Sequence, residues 1–394
     1  MDLTQNLRQE LVRMRRLFYQ FPELSWEEAH TARAIAGYME SYGLSLRTDV
    51  GGHGLVAELA GELPGPVIAY RADMDALPIY DTLEKSYRSM NLGVKHACGH
   101  DVHMTIALGT AKTLSSLRHI LHGTLRFIFQ PAEEALDGAQ AMIDSGVLQL
   151  PVPRAILALH AFPLPVGSIG LTRGQCLAGM EEFRIRFDAP RTMLPDLIEA
   201  TLPALQALST HTPPATPQAF NDLINYMVTG DYLENSLYLS CWQSVGAGNA
   251  HITGLVSLVD YSARQTVRSS IRQTLDEVIG DSGTGYTLWT SFENPPLMND
   301  ARLIQQLRRY VVAVVGRESV VDFKVPYPFA HEDFALYVQQ VPGAMLWLGT
   351  ANHERAIHSM LHSPDYDVDE QALVTGTALM SYLLLKLTQE LVSL

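Results

Sequence analysis

Apolar residues at Leu7, Leu11, Met14, Leu17 and Phe18 fall on one face of a helix over 3–18. A second helix is predicted over 27–43, stopped by Gly43. The pattern then changes to short unbroken apolar runs bounded by glycine or proline: 67–70 behind Gly65-Pro66, 125–129 ahead of Pro131, and 155–159 behind Pro153. Runs of this kind are strands with both faces covered, as in a mainly parallel sheet flanked by helices. Helices are predicted between them, over 102–117 and 132–145.

Near Gly179 the pattern becomes strict alternation, Glu-Phe-Arg-Ile-Arg-Phe-Asp over 182–188, which leaves one strand face wet. A helix over 196–208 follows, then Pro/Thr-rich loop sequence over 211–218 and strands over 237–245 and 255–262. A helix over 264–280 and a strand over 286–292 complete a β-α-β-β-α-β order, the ferredoxin-like arrangement. After an exit linker at 291–296 the first style resumes, with helices over 300–315, 332–340 and 369–387 and strands over 320–325 and 344–348. The expected fold class is α/β: a mainly parallel-sheet domain, residues 1–178 and 295–394, interrupted by an inserted ferredoxin-like α+β domain, residues 179–294.

Composition narrows the partners. A chain of 394 residues suits two cores. Asp and Glu number 42 against 28 Lys and Arg, for a net charge of −14, and there is no basic run. Such a field repels phosphate backbones, which excludes nucleic acid as the expected partner. Three cysteines are too few for a disulfide framework and fit a reducing compartment. The N-terminus is charged and amphipathic rather than a signal core, and no apolar run approaches the ~18 residues of a spanning helix. The expectation is a soluble, cytoplasmic protein with no membrane partner.

The candidate chemistry sits where the apolar runs end. Arg71-Ala-Asp73-Met-Asp75 follows the first run, at the strand end where open α/β folds bind ligands. Asp73 and Asp75 alternate by two and face the same way in extended chain; a turn-capping pair would read the same. His96-Ala-Cys98-Gly-His100-Asp101-Val-His103 is denser. Cys98 and His100 also alternate by two, and a thiolate with an imidazole suits a transition metal, zinc first. Asp101 has the position of a helix cap. Glu133-Glu134 follows Phe129-Gln130-Pro131-Ala132. Adjacent carboxylates diverge, so one can hold a metal while the other serves as a base; acidic residues in a helix's first turn would read the same. His160 follows the third run directly, and His362 lies in a loop before the last helix. Cys98, His100, Glu134, His160 and His362 make five donors. That is more than one catalytic zinc takes from its protein, and it suits a pair of ions sharing a ligand.

The strings Arg71–Ile79, His96–Met104, Phe129–Glu134, Glu332–Ala335 and Leu361–Glu370 resemble the M20 family of metallopeptidases and amidohydrolases. The branch is that of the aminoacylases, hippurate hydrolases and auxin-conjugate (IAA-amino acid) hydrolases. The motifs run in order over well over half the chain. The resemblance implies a catalytic α/β domain with an inserted lid that often forms homodimers. It implies two divalent metal ions, zinc or manganese, with Cys98 bridging and His100, Glu134, His160 and His362 as the other ligands. It makes Glu133 the general base and then general acid, and Asp75 the carboxylate that orients a ligand histidine. Asp73 falls where relatives with another ligand set carry a histidine ligand. Arg264 matches an arginine expected near a substrate carboxylate. The implied reaction is cleavage of the amide of a small N-acyl amino acid or related conjugate, by attack of metal-bound hydroxide.

The departures lie in the lid. The family's Gly-Gly-His-Ala-Ala-x-Pro-His segment is missing, because Phe187 runs through Asp188 and Met193 directly into the helix. His251 stands in the place of a substrate-contacting asparagine, on the strand-to-strand connection, and is the preferred replacement for the missing histidine over His211. Two other readings compete: a biosynthetic deacylase or amide-forming relative with an altered lid, and a metal-retaining binding protein without turnover. Glu133 argues against the last, since a binder needs ligands but no base.

Overall fold

The computed structural model describes residues 3–149, 151–230, 236–246, 249–280 and 283–391. The chain divides into two compact units. One comprises the chain up to Gly174, Asn299–Asp322 and the chain from Leu336 on; the other comprises Gln175–Met298 and Phe323–Ala335.

An eight-stranded sheet organises the first unit. Its order is Ser45–Arg47, Leu55–Ala60, His122–Gln130, Leu63–Asp73, Ala155–Pro165, Gly343–Ala351, Ile169–Thr172 and Val320–Phe323. The central four strands run parallel. Leu55–Ala60 and Ser45–Arg47 extend one side antiparallel, and Ile169–Thr172 pairs antiparallel on the other. Successive residues of the central strands are buried, from Val67 to Asp73, from Leu125 to Gln130 and throughout Gly343–Ala351. Neighbours along a strand point to opposite faces, so both faces are covered. The helices Leu3–Gln20, Ala29–Ser41, His100–Ser115, Ala301–Val315 and Gln371–Glu390 share one apolar core with this sheet. The α/β class with a mainly parallel sheet is thus the observed one. The short strands at 45–47, 55–60 and 169–172 have no counterpart among the elements expected from the apolar pattern.

One expected element fails in part. The helix predicted over 132–145 is present only as Gly138–Asp144. Ala132 and Leu136 adopt φ of 50° and 55°, outside the right-handed helical region, and the chain between them turns instead. Glu133 and Glu134 therefore do not lie in a helix's first turn.

The second unit has a four-stranded antiparallel sheet in the order Gly285–Asn294, Gly179–Asp188, Asn249–Leu258, Leu237–Gly246. Phe183, Ile185 and Phe187 pack into one core with Leu194–Gln206 and Arg264–Ile279, while Arg184, Arg186 and Asp188 stay exposed. A further helix, Pro217–Thr229, begins at the end of the Pro/Thr-rich stretch. The Thr216 side chain caps it by accepting from the Ala219 amide at 3.2 Å, and Pro217 supplies a preset first residue. The order is therefore β-α-α-β-β-α-β. Phe323–Ala335, expected from the sequence to belong with 295–394, packs with this unit: the Tyr327 amide donates to Cys176 O and the Ser257 hydroxyl to Pro328 O. No helix among the described residues is long and apolar enough to cross a membrane.

Candidate metal centre

Gly99 sets the geometry of the densest motif. It takes φ of 88°, and a Cβ there would lie 2.7 Å from Ala161 Cβ. Glycine alone fits both the angle and the space. The turn delivers Cys98 and His100 together, with His100 opening the helix His100–Ser115. Asp101 is not the cap: the N-cap is Gly99, and buried Asp101 instead accepts from Arg15 Nε at 2.6 Å.

Cys98 Sγ lies 3.2 Å from His362 Nε2 and 3.6 Å from His160 Nε2. His362 Nε2 is 3.5 Å from Glu134 Oε1, and His100 Nε2 is 3.7 Å from the same oxygen and 3.8 Å from Glu133 Oε2. Of the donor groups of metal-binding size among the described residues, Cys98–His100–His160 and Cys98–Glu134–His362 share the one sulfur, and His100–Glu133–Glu134 brings Glu133 beside them. His160 lies within the strand Ala155–Pro165, in register with Trp347, rather than directly after a strand end. His362 adopts φ of 61°.

Supporting residues fix these groups through their other atoms. His100 Nδ1 is 2.8 Å from Asp75 O and 3.3 Å from Asp75 Oδ1. Asp75 Oδ2 accepts from Ser25 Oγ at 2.7 Å and from the Glu134 amide at 2.9 Å. His160 Nδ1 faces Ala161 O at 2.7 Å, which leaves Nε2 toward Cys98. Asp73 lies 2.6 Å from His103 Nδ1 and accepts from Arg71 Nη1 at 2.5 Å, and His103 Nε2 accepts from the Ala161 amide at 2.8 Å. Both His103 nitrogens are engaged, so Asp73 and His103 brace the strand ends. His96 is buried, and burial lowers its pKa to about 4, so it is neutral. Ser25 and Glu28 hold this part of the fold by hydrogen bonds that the sequence alone does not single out. Glu28 accepts from the Ala132 and Trp26 amides at 2.8 and 3.0 Å, holding the turn before Glu133. Their only signal in the sequence is a polar side chain near apolar neighbours, too weak to act on.

The electrostatics point to a cation. His100 Nε2 and Glu134 Oε1 are buried without a hydrogen-bond partner among the described residues, a cost of ~1–3 kcal/mol each if nothing binds them. Burial pushes Glu134 up to about 8, with Asp75 and Asp73 adding to it against His100. Burial would lower His100, but Asp73, Asp75 and Glu134 outweigh it and push His100 up to about 10. Burial would raise Asp73, yet His100, His103 and Arg71 hold it well below the usual carboxylate range. A thiolate, imidazoles and a carboxylate converging on orphaned buried atoms fit divalent transition-metal ions.

The two lid candidates belong to the second unit. His251 lies inside the strand Asn249–Leu258, paired with Arg186 and Ser244, rather than on a connection. Its Nδ1 is buried without a hydrogen-bond partner among the described residues. Arg264 opens the helix Arg264–Ile279, donates from Nη1 to Tyr261 O at 3.2 Å and lies 3.8 Å from Glu181.

The chain is similar to known hydrolases and metal-binding peptidases. A probable hydrolase of Synechocystis is 34% identical, over 97% of this chain and 96% of its own. The N-acetylcysteine deacetylase of Bacillus subtilis is 31% identical, over 93% and 94%. The solved structure of the Bacillus subtilis YXEP protein, described as a dinuclear metal binding peptidase from the M20 family, superposes with a TM-score of 0.76. It is 28% identical and matches 98% of this chain and 99% of its own. The sequence profile of peptidase family M20/M25/M40 matches residues 69–386. With a centre of donors for two metal ions on an α/β sheet, this chain belongs to peptidase family M20/M25/M40 and is a metal-dependent amidohydrolase.

Proposed function

We propose that the chain hydrolyses the amide of a small N-acyl amino acid or related conjugate. The observation that carries this reading is the shared Cys98 sulfur between two donor groups, with Glu133 beside them and outside both. Cys98, His100, Glu134, His160 and His362 would hold two divalent ions, zinc or manganese. When bound, such ions supply Lewis acidity, which acidifies water and polarises a carbonyl. Asp75 holds His100 by its Nδ1 side and keeps Nε2 free as a donor. Glu133 takes the proton of the attacking water on a carboxylate oxygen and returns it to the amine nitrogen as the C–N bond breaks. His251 and Arg264 are proposed as substrate contacts, His251 through its imidazole and Arg264 through a guanidinium suited to a carboxylate. The relative that deacetylates N-acetylcysteine supports an N-acyl amino acid as substrate class.

The test is chelation and reconstitution. The purified protein, stripped and reloaded with zinc or manganese, is assayed on a panel of N-acyl amino acids. Hydrolysis of at least one member, lost on stripping and regained with two ions per chain, is expected. A doubly loaded protein inert on the whole panel would overturn the proposal.

A further inference from the structure

Lys95 is an unusual residue for its position. Its side chain is fully buried, and an ammonium buried there is unfavourable unless it is paired. It is paired: Nζ lies 3.1 Å from Asp81 Oδ1 and donates to Pro364 O at 2.6 Å. Its backbone is fixed as well, exchanging two 3.0 Å hydrogen bonds with Leu77. Pro364 O also accepts from the Thr82 amide at 3.1 Å and from Thr82 Oγ1 at 2.8 Å. One carbonyl therefore receives three donors. It stands two residues after His362, whose own amide donates to Ala97 O at 2.8 Å. The turn is held on both sides of an imidazole that adopts the left-handed φ of 61°, a conformation that persists only when the surroundings over-determine it.

We infer that Lys95 is a positioning residue that locks the Pro364 turn and thereby aims His362 at the metal centre. The inference rests on the reading of His362 as a ligand. An apolar residue would fill this buried place at lower desolvation cost; what the ammonium adds is the grip on Pro364 O. Asp81 does not depend on Lys95 alone, because it also accepts from the Leu83 and Ser89 amides at 3.1 and 3.0 Å. Lys95→Met therefore leaves a hydrogen-bonded carboxylate behind and removes the grip.

The experiment measures metal retention against a chelator of known affinity, using zinc, together with amide hydrogen exchange across 361–367 in the metal-free protein. Lys95→Met is expected to weaken one of the two ions 10–100-fold, the range for residues that orient a ligand, leave the other unchanged and speed exchange in the turn. Thr82→Val, at an exposed side chain, removes one donor to the same carbonyl and is expected to shift both readouts the same way by less; it decides the question if Lys95→Met fails to fold. Wild-type retention and exchange in the folded variants would overturn the inference. His362→Ala separates the two readings: loss of an ion there with full retention in Lys95→Met refutes the positioning role alone, whereas full retention in His362→Ala refutes the ligand reading beneath it.

Discussion

Glu133 and Glu134 are neighbours in the chain with different surroundings. Glu134 shares its Oε1 environment with His100 and His362 and has its backbone amide fixed by Asp75. Glu133 reaches His100 Nε2 at 3.8 Å but belongs to neither group built on Cys98. The turn from Ala132 to Leu136, both at positive φ, takes the place of a helix's first turn and brings both carboxylates to His100 Nε2, while only Glu134 also reaches His362. The expected consequence is a division of phenotypes. Glu133→Gln should lower kcat by ~10²–10⁴, the usual contribution of a positioned acid–base, with two ions still bound. Glu134→Gln should lose metal first and activity as a result. Steady-state kinetics alongside metal analysis checks this; a Glu133→Gln protein with wild-type kcat and both ions bound would remove Glu133 from the proton-transfer role.

At the scale of elements, the centre depends on turns between regular segments. Gly99 joins Cys98 to the helix His100–Ser115 at φ of 88°, and a methyl group added there would meet Ala161 Cβ at 2.7 Å and Tyr366 Oη at 3.0 Å. Gly99→Ala is expected to destabilise the metal-free protein by ~1–3 kcal/mol, from backbone strain and overpacking together, and to reduce metal retention because both flanking residues are proposed ligands. Denaturant unfolding checks it, and a change under ~0.5 kcal/mol would contradict the argument. The same contrast explains what is legible in the sequence. Central strands such as Leu63–Asp73 and Ala155–Pro165 announce themselves because burial on both faces leaves an unbroken apolar run. The three-residue strand Ser45–Arg47, with its exposed and half-buried positions, has no such run. The helix Pro217–Thr229 is hidden by the Pro/Thr-rich stretch that starts it. Cys98 and His100 stand out because cysteine and histidine are scarce types and here crowd into one short motif. Ser25, Glu28 and Lys95 do not: they act on Asp75, on the Ala132 amide and on the Pro364 carbonyl, partners remote in sequence that only the folded chain brings close.

For the molecule as a whole, the proposed ligand set ties stability to pH and metal. In the metal-free fold His100 is raised from its ordinary 6.5 to about 10, chiefly by Asp73 and Asp75 overcoming burial, and Glu134 is raised from 4.5 to about 8 by burial. Both groups bind their proton more tightly folded than unfolded, so both add stability at low pH and withdraw it as pH rises. The His100 contribution is complete below 6.5 and disappears on the way to 10; that of Glu134 is complete below 4.5 and gone above 8. Asp73 and Asp75 are lowered, so their contributions are already complete above the ordinary carboxylate range and stay flat. His160, lowered by burial, likewise stops contributing a slope above 6.5. Between about pH 6.5 and 9 the stripped protein should therefore lose thermal stability steadily. Metal ligands must be deprotonated, so under the proposed ligand set bound ions displace these protons, and the reloaded protein should show a flatter profile over the same interval. Thermal midpoints of stripped and reloaded protein across that range make the comparison. Equal slopes in the two forms would mean that the protons of His100 and Glu134 are not the ones the metal displaces, and the assignment of both as ligands would fall with it.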